Sequence, residues 1–497
     1  MTTRVAVAPR AVIVRSPEWV RSGFTHAAKH GKNNAEEENH VANSYCVAEL
    51  GLGRKFTSHF AQIGLINFCR AMAGLLLLVC LAGCATQRAE VATLPVAASP
   101  ASQSTETARS LQSSGTFDVL YITDRAPVTA SDSTLSYGAE RAIFLSFGSV
   151  SITPTRNSPT SKSGLRVGAV SETGRFPATP YGVVATANGL RRTPTAVAAH
   201  EQAAAALQAE VARRLAIAKR KEVVVFIHGY GNSFDDAALT TGEICRSLQN
   251  QFVCIDLTWP AGGSGGLFFG YNIDRESSEF SVADLKKAIR IIAETEGVER
   301  LHLLAHSRGT DVLASVIQQL AIEAYVSRSS LWQRYKIANA VFFAPDIDLD
   351  VASSKLFAWV SDPDLAFGSK SSPNTVPPQG PMHLTIYSSP RDKALGASTL
   401  LFGSALRLGQ LAVGRLPKDR SEAASQWAGS HMGGLVDFIE FSGGGFIGHS
   451  YFLSDPAVKA DLVALIRDRA KAGEPRRQLV EIKRPFWRVS DVQQALR

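Results

Sequence analysis

The strongest constraint on this chain is a regular alternation of strand-like and helix-like segments from residue 221 to about 471. Residues 221–228 (KEVVVFIH) form a continuous apolar run, the pattern of a strand covered on both faces. A helical pattern follows at 234–249, then a strand at 252–258 (FVCIDLT), a helix at 275–295 and a strand at 300–306 (RLHLLAH). A helix from about 309 to 324, strands at 336–345, 382–389 and 436–441, and a last helix at 456–471 complete the series. Strands alternating with helices imply βαβ units and a mostly parallel sheet with helices on both faces. Upstream, 116–124 and 142–153 read as strands, 154–165 as a Pro/Ser/Thr/Lys loop, and 196–220 as an Ala-rich helix with a basic last turn. In such sheets ligands bind at the carboxyl ends of the strands, so chemistry is expected there.

One such end carries Ala305-His306-Ser307-Arg308-Gly309 between a strand and a helix. This is the context of a nucleophile elbow, a tight strand-to-helix turn that projects a serine hydroxyl above the sheet. Small flanking residues are needed because neighbouring backbone comes close. Ala305 replaces the glycine usual at the first position and is the next smallest choice. A second end carries His228-Gly229-Tyr230-Gly231-Asn232, where a glycine-bearing turn can supply an oxyanion donor. The backbone N–H groups of Tyr230 and Arg308 are the candidate pair, and His228 itself reads as structural.

Serine needs a base near neutral pH. The chain order nucleophile, acid, histidine leaves His383, His431 and His449 as candidates. His383 begins a strand at the wrong edge of the sheet. His431 lies in a loop before the last strand, whereas His449 follows that strand in a glycine-rich loop and is preferred. Asp392, in the turn after strand 382–389, is the favoured acid, and Asp346, one strand earlier, is the alternative.

VVVFIHGYGNSFDDA (223–237), LLAHSRGTDVL (303–313), VFFAPDIDLDV (341–351), IYSSPRDKAL (386–395) and GHSYF (448–452) together resemble the α/β-hydrolase family known as the domain of unknown function DUF900. The upstream YITDRAP (121–127) and GSVSITP (148–154) also resemble it, so the likeness runs from about 116 to 470. The resemblance implies an α/β-hydrolase fold and a triad on Ser307, Asp392 and His449. Arg308 stands where many members have Met, which bears on substrate preference but not on its N–H.

The N-terminal part reads differently. Residues 65–84 combine Arg70, a short apolar stretch from Ala71 to Leu81, and Leu81-Ala82-Gly83-Cys84, which resembles a bacterial lipoprotein cleavage box. The expectation is a signal at 65–83, an acylated Cys84, an Ala/Ser/Thr/Pro tether at 84–114 and a hydrolase domain at 115–475, held outside the cytoplasm on a membrane of the bacterial envelope. Residues 1–64 lack sustained periodicity and are expected to be a non-native extension. Cys245 and Cys254 are then a candidate disulfide, or two buried thiols.

Composition excludes other classes. Hydrophobic residues make up 45% and charged residues 19%, so the chain can bury a large core. The net charge is +8, but residues 1–83 carry half of it and no basic stripe follows, which argues against nucleic acid. The glycine run after Trp259 lacks the Lys-Ser/Thr ending of a phosphate loop and reads as a pocket loop or lid. Asp235, Asp236, Asp346, Asp348 and Asp350 lack the spacing of a calcium loop and read as solvated carboxylates. Residues 400–411 read as a buried helix or acyl-pocket wall, and the basic stretch 476–497 as a solvated tail. The combined expectation is a membrane-anchored serine hydrolase acting on a small-molecule or lipid ester or thioester, with no metal or cofactor. Acyl transfer or peptide hydrolysis by the same triad, and a non-catalytic binding lipoprotein, are the alternatives.

Overall fold

The computed structural model describes residues 115–129, 134–155, 164–263, 266–358, 382–402, 406–413, 435–442 and 449–490. The signal, Cys84, the tether and His431 lie outside the described residues. Three strands open the fold: β1 (Phe117–Thr129), β2 (Leu135–Pro154) and β3 (Leu165–Arg175). A short exposed hairpin, β4 (Val183–Thr186) and β5 (Gly189–Arg192), precedes helix α1 (Pro194–Ile217), which Thr193 caps. The alternation then proceeds through β6 (Glu222–Ile227), α2 (Phe234–Ser247), β7 (Val253–Thr258), α3 (Gly266–Glu294), β8 (Arg300–His306) and α4 (Gly309–Val326). Next come α5 (Leu331–Tyr335), β9 (Ile337–Phe343), α6 (Leu349–Ser353), β10 (His383–Ser388) and α7 (Lys393–Phe402). The chain closes with β11 (Val436–Glu440), α8 (Tyr451–Ser454), α9 (Pro456–Ile466), β12 (Leu479–Lys483) and β13 (Phe486–Val489).

These strands form one eleven-stranded sheet in the order β12-β13-β11-β10-β9-β8-β6-β7-β1-β2-β3. Every pairing from β1 through β13 in that order is parallel, and the antiparallel pairings lie at the two edges. Along β6, Val223, Val225 and Ile227 pack on one face of the sheet, while Val224 and Phe226 pack on the other. Both sets are fully buried, which is why this strand reads as an unbroken apolar run. The chain leaves β6 for β7 on one side and returns to β8 on the other side. Such a reversal opens a crevice above the strand ends.

Three expectations are corrected. The strand near 436–441 is not the last, and 476–497 is not simply a solvated tail. Instead β13 adds in parallel to β11 and β12 pairs with it, so the sheet continues to residue 489. The physical reason is an ion pair that charge composition disguised. Arg477 is buried and makes two hydrogen bonds to Asp461 of α9, at 2.7 and 2.8 Å. Trp487 is buried too and donates to Asp437 at 2.9 Å. Third, the long helix begins at Gly266 rather than 275, because a glycine- and aromatic-rich start hid its first turns. Periodicity also does not mark β3, β4, β5, α5, α6 or the first turns of α7. Cys245 and Cys254 are joined in a disulfide between the end of α2 and β7.

Among the described residues, no helix is long and apolar enough to cross a membrane. Replacing Arg477 with Ala leaves the buried Asp461 carboxylate without its cation, with only the Tyr387 hydroxyl still donating to it. The expected loss is about 3–5 kcal/mol of stability, measured by denaturant unfolding.

Candidate active site

Ser307 sits in the turn between β8 and α4 with φ of +52°, the left-handed region that a side chain adopts only under constraint. The constraint comes from its backbone. Its N–H donates to Phe343 at 2.9 Å, and its carbonyl accepts from the N–H groups of Thr310 and Asp346, each at 3.1 Å. The Thr310 hydroxyl donates to the same carbonyl at 2.6 Å. The start of α4 follows immediately, so its unpaired N–H groups favour negative charge near the serine.

Two glycines make this turn possible. A Cβ on Gly309 would lie 2.2 Å from the His228 carbonyl oxygen, so α4 can start against the end of β6 only because none is present. A Cβ on Gly229 would lie 2.7 Å from the Ser307 Cβ. The turn after β6 therefore rests directly against the serine.

The structure brings Ser307, His449 and Asp392 together. His449 Nε2 lies 2.7 Å from Ser307 Oγ, and His449 Nδ1 lies 2.8 Å from Asp392 Oδ2. The serine follows β8, the aspartate follows β10 and the histidine follows β11. Three neighbouring regions of one sheet rim thus supply three side chains far apart in sequence. Asp392 is buried, and its other oxygen accepts from the Leu395 N–H at 3.1 Å at the start of α7. Its main-chain carbonyl accepts from the Gln410 side chain at 3.0 Å. The side chain is therefore held on both sides. With a carboxylate accepting from Nδ1, the proton on that nitrogen leaves Nε2 with a lone pair toward the serine.

Asp346 is not placed beside His449. Its carboxylate accepts from the hydroxyls of Tyr271 and Ser398 and lies 3.4 Å from Arg407 Nε. It is buried, which corrects its reading as a solvated carboxylate. Asp236 closes a capping box with Ser233 at the start of α2, and Asp348 caps α6. His383 pairs with Asp437 at 2.8 Å. The Trp259 segment is no lid over 259–262: Trp259 is fully buried, and the Gly262 N–H donates to Asp274. Residues 264 and 265 lie outside the described residues. The stretch 400–411 differs from the buried helix expected: α7 ends at Phe402 and Leu408–Gln410 form a separate 3-10 turn, with Leu408 and Leu411 buried in the core. Among the described residues, no group of three His, Cys, Asp or Glu side chains is placed to hold a metal.

The proposed oxyanion donors differ in their surroundings. The Arg308 guanidinium turns away to Asp311, at 2.8 Å, and to Ser278, at 3.3 Å. Only its backbone remains for the site. In the facing turn, the Gly229 N–H is taken by the Asn232 side chain and the Gly231 N–H by Asp274. Between them, the Tyr230 N–H has no acceptor among the described residues, and the same holds for the Arg308 N–H.

His306 is a residue that motif reasoning passed over. It occupies the position before the serine, and its Nε2 lies 3.0 Å from the backbone carbonyl of His449. Its ring packs against Phe452 and against the His449 ring, with centroids 4.8 Å away in both cases. Burial, aided by the neighbouring His449, lowers its pKa to about 3. It is therefore neutral at ordinary pH and donates to that carbonyl. The only sequence signal was its place inside the pentapeptide.

The family model for α/β hydrolases of unknown function, DUF900, matches residues 203–469, more than half of the chain. The chain belongs to this family. It is an α/β hydrolase, and the strand order and the placement of the elbow agree with that fold. No curated protein matches it. Solved structures that match include a lipase-esterase related protein from Clostridium acetobutylicum ATCC 824, at 11% identity and a TM-score of 0.26, covering 50% of this chain and 95% of that one. An esterase from Pyrobaculum calidifontis matches at 12% identity and 0.26, covering 51% and 78%. Est1E from Butyrivibrio proteoclasticus matches at 13% and 0.25, covering 51% and 91%. The family assignment rests on the family match and the topology.

Gly309→Ala forces a methyl group into the His228 carbonyl. It is expected to cost at least about 1–3 kcal/mol, measured by thermal or denaturant unfolding.

Proposed function

We propose that this α/β hydrolase is a serine hydrolase that cleaves a carboxylic ester or thioester through an acyl-enzyme. The observation that carries the reading is the hydrogen-bonded series Ser307 Oγ, His449, Asp392, at 2.7 and 2.8 Å. In this mechanism His449 Nε2 takes the serine proton as Oγ attacks the acyl carbon. The tetrahedral oxyanion is received by the backbone N–H groups of Tyr230 and Arg308. Protonated His449 then gives its proton to the leaving alcohol or thiol, and the acyl group stays on Ser307. Water enters, loses a proton to His449 and releases the carboxylic acid. Asp392 keeps the imidazole in the required tautomer and stabilises its charged form. No step calls for a metal or cofactor.

The proposal includes a lipid anchor. Its support is the ordered series of basic residue, short apolar core and Leu81-Ala82-Gly83-Cys84. An acylated Cys84 followed by a tether of about 30 residues would hold the catalytic domain near a membrane of the bacterial envelope, outside the cytoplasm.

A fluorophosphonate probe is expected to label the wild type and not Ser307→Ala, read by gel fluorescence; equal labelling of both removes Ser307 from the mechanism. On a panel of nitrophenyl esters of graded chain length, Asp392→Asn should retain KM but lose on the order of 10⁴ in kcat. Expression with an alkyne fatty acid should tag the wild type and not Cys84→Ser. A tag on both, or on neither, rejects the anchor at this cysteine.

A further inference from the structure

The hydrogen bonds around His228 determine more than its own position. Its Nε2 lies 3.1 Å from the Trp259 backbone N–H and 3.2 Å from Arg125 Nη2. Both groups can only donate. The Thr258 hydroxyl is 2.9 Å away, and it is itself supplied with a proton donor, Arg125 Nε, at 2.9 Å. Nε2 therefore carries no proton, and the proton of the neutral ring is on Nδ1. From there it is donated to the Gly229 carbonyl at 2.9 Å. The ring is stacked on Trp259 with centroids 5.0 Å apart and planes at 10°, and the Trp259 indole N–H donates to the His228 carbonyl at 2.9 Å.

The Gly229 carbonyl and the Tyr230 N–H belong to one peptide unit. In a planar trans peptide the two point in opposite directions. Holding the carbonyl toward His228 therefore turns the Tyr230 N–H away from it, while the Gly229 Cα remains against Ser307. If the peptide were flipped, a carbonyl oxygen would stand where the mechanism needs a donor.

We propose that His228 is a positioning residue of the oxyanion site: locked as the Nδ1–H tautomer by Arg125 and Trp259, it fixes the Gly229–Tyr230 peptide so that the Tyr230 N–H is presented to the developing oxyanion. The inference rests on the serine hydrolase reading above, and it assigns a role to the YITDR segment of β1, which that reading leaves unused. Arg125 lies well ahead of the residues that match the family model. It is buried and also donates to the carbonyls of Asn232, Gly138 and Ala261, at 2.8, 2.9 and 3.0 Å. It thus ties the turn after β6 to the loops beside it. Burial and the Arg125 charge hold the His228 pKa well below its ordinary value, with His306 the other titratable ring acting on it. Burial lowers the pKa of Arg125 itself only to about 10, so it remains a cation at neutral pH.

Two substitutions separate the tautomer's task from mere filling of space. His228→Asn can place an amide N–H near the Nδ1 position. His228→Gln places its amide near Nε2 and leaves the Gly229 carbonyl without a donor. In the full-length protein, His228→Gln should lose about 10²-fold in kcat with KM within about threefold of wild type. Its affinity for phenylboronic acid, which forms a tetrahedral oxyanion on the serine, should fall in parallel. His228→Asn should recover most of the loss. Equal activity of both variants, equal loss in both, or a change confined to KM overturns the proposal. A wild type that the fluorophosphonate does not label overturns the hydrolase reading and this proposal with it, whereas a labelled wild type with an unimpaired His228→Gln overturns this proposal alone. Long-range proton–nitrogen spectra of the wild type labelled with ¹⁵N-histidine give a readout that survives if the variants fail to fold. They should show His228 as the neutral Nδ1–H tautomer from pH 5 to 8; an Nε2–H tautomer or a titration in that range overturns the proposal.

Discussion

The site depends on how closely two stretches of backbone approach each other. The turn after β6 and the turn after β8 meet where Gly229 faces Ser307 and Gly309 faces the His228 carbonyl, with no room for a Cβ at either glycine. That contact holds Ser307 in its left-handed conformation and brings the first turn of α4 beside the strand ends. It also sets the facing peptide of Tyr230 near the serine. Strain at one residue is tolerated because several backbone hydrogen bonds and a buried sheet hold the turn from all sides. The sheet supplies the rigidity: β6 and β8 are paired in parallel along their length, and both lie inside packed layers.

Around this contact, buried polar groups act as ties between loops rather than as solvated charges. Asp392 is held from α7 and by Gln410, His306 holds the main chain of His449, and Arg125 ties the start of β2 to the loops after β6 and β7. Each tie satisfies polar groups that would be costly to bury alone. Together they place rim loops on a rigid frame, which is what proton transfer over a single hydrogen bond requires. The Tyr451 hydroxyl works in the same manner, accepting from the Ala344 N–H and donating to the Tyr387 carbonyl.

Much of this was legible in the chain. Unbroken apolar runs such as 223–227 announce burial on both faces because no polar residue interrupts them. The elbow was legible because small residues bracket a serine between a strand and a helix. Asp392 and His449 followed from the order of elements, since each stands after a strand that must end at the same rim. The hairpin at 479–489 was not legible: its strands are short and rich in charge, and what makes them part of the sheet is a partner, Asp461 for Arg477 and Asp437 for Trp487. Asp346 was equally ambiguous, because two aspartates at two neighbouring strand ends look alike until their hydrogen-bond partners are known.

The sequence by itself determined the class of sheet, the succession of its parallel strands and the residue types at their carboxyl ends, because these depend on local periodicity and on turn chemistry. The tertiary structure alone decided which carboxylate faces His449, which tautomer His228 carries and which N–H groups near the serine are left without partners. Those are properties of contacts between residues 57 to 142 positions apart, in the case of the Asp392–His449 and Ser307–His449 pairs. Local preference does not specify a hydrogen bond of that span; only the packed sheet, by bringing distant loops to one rim, does.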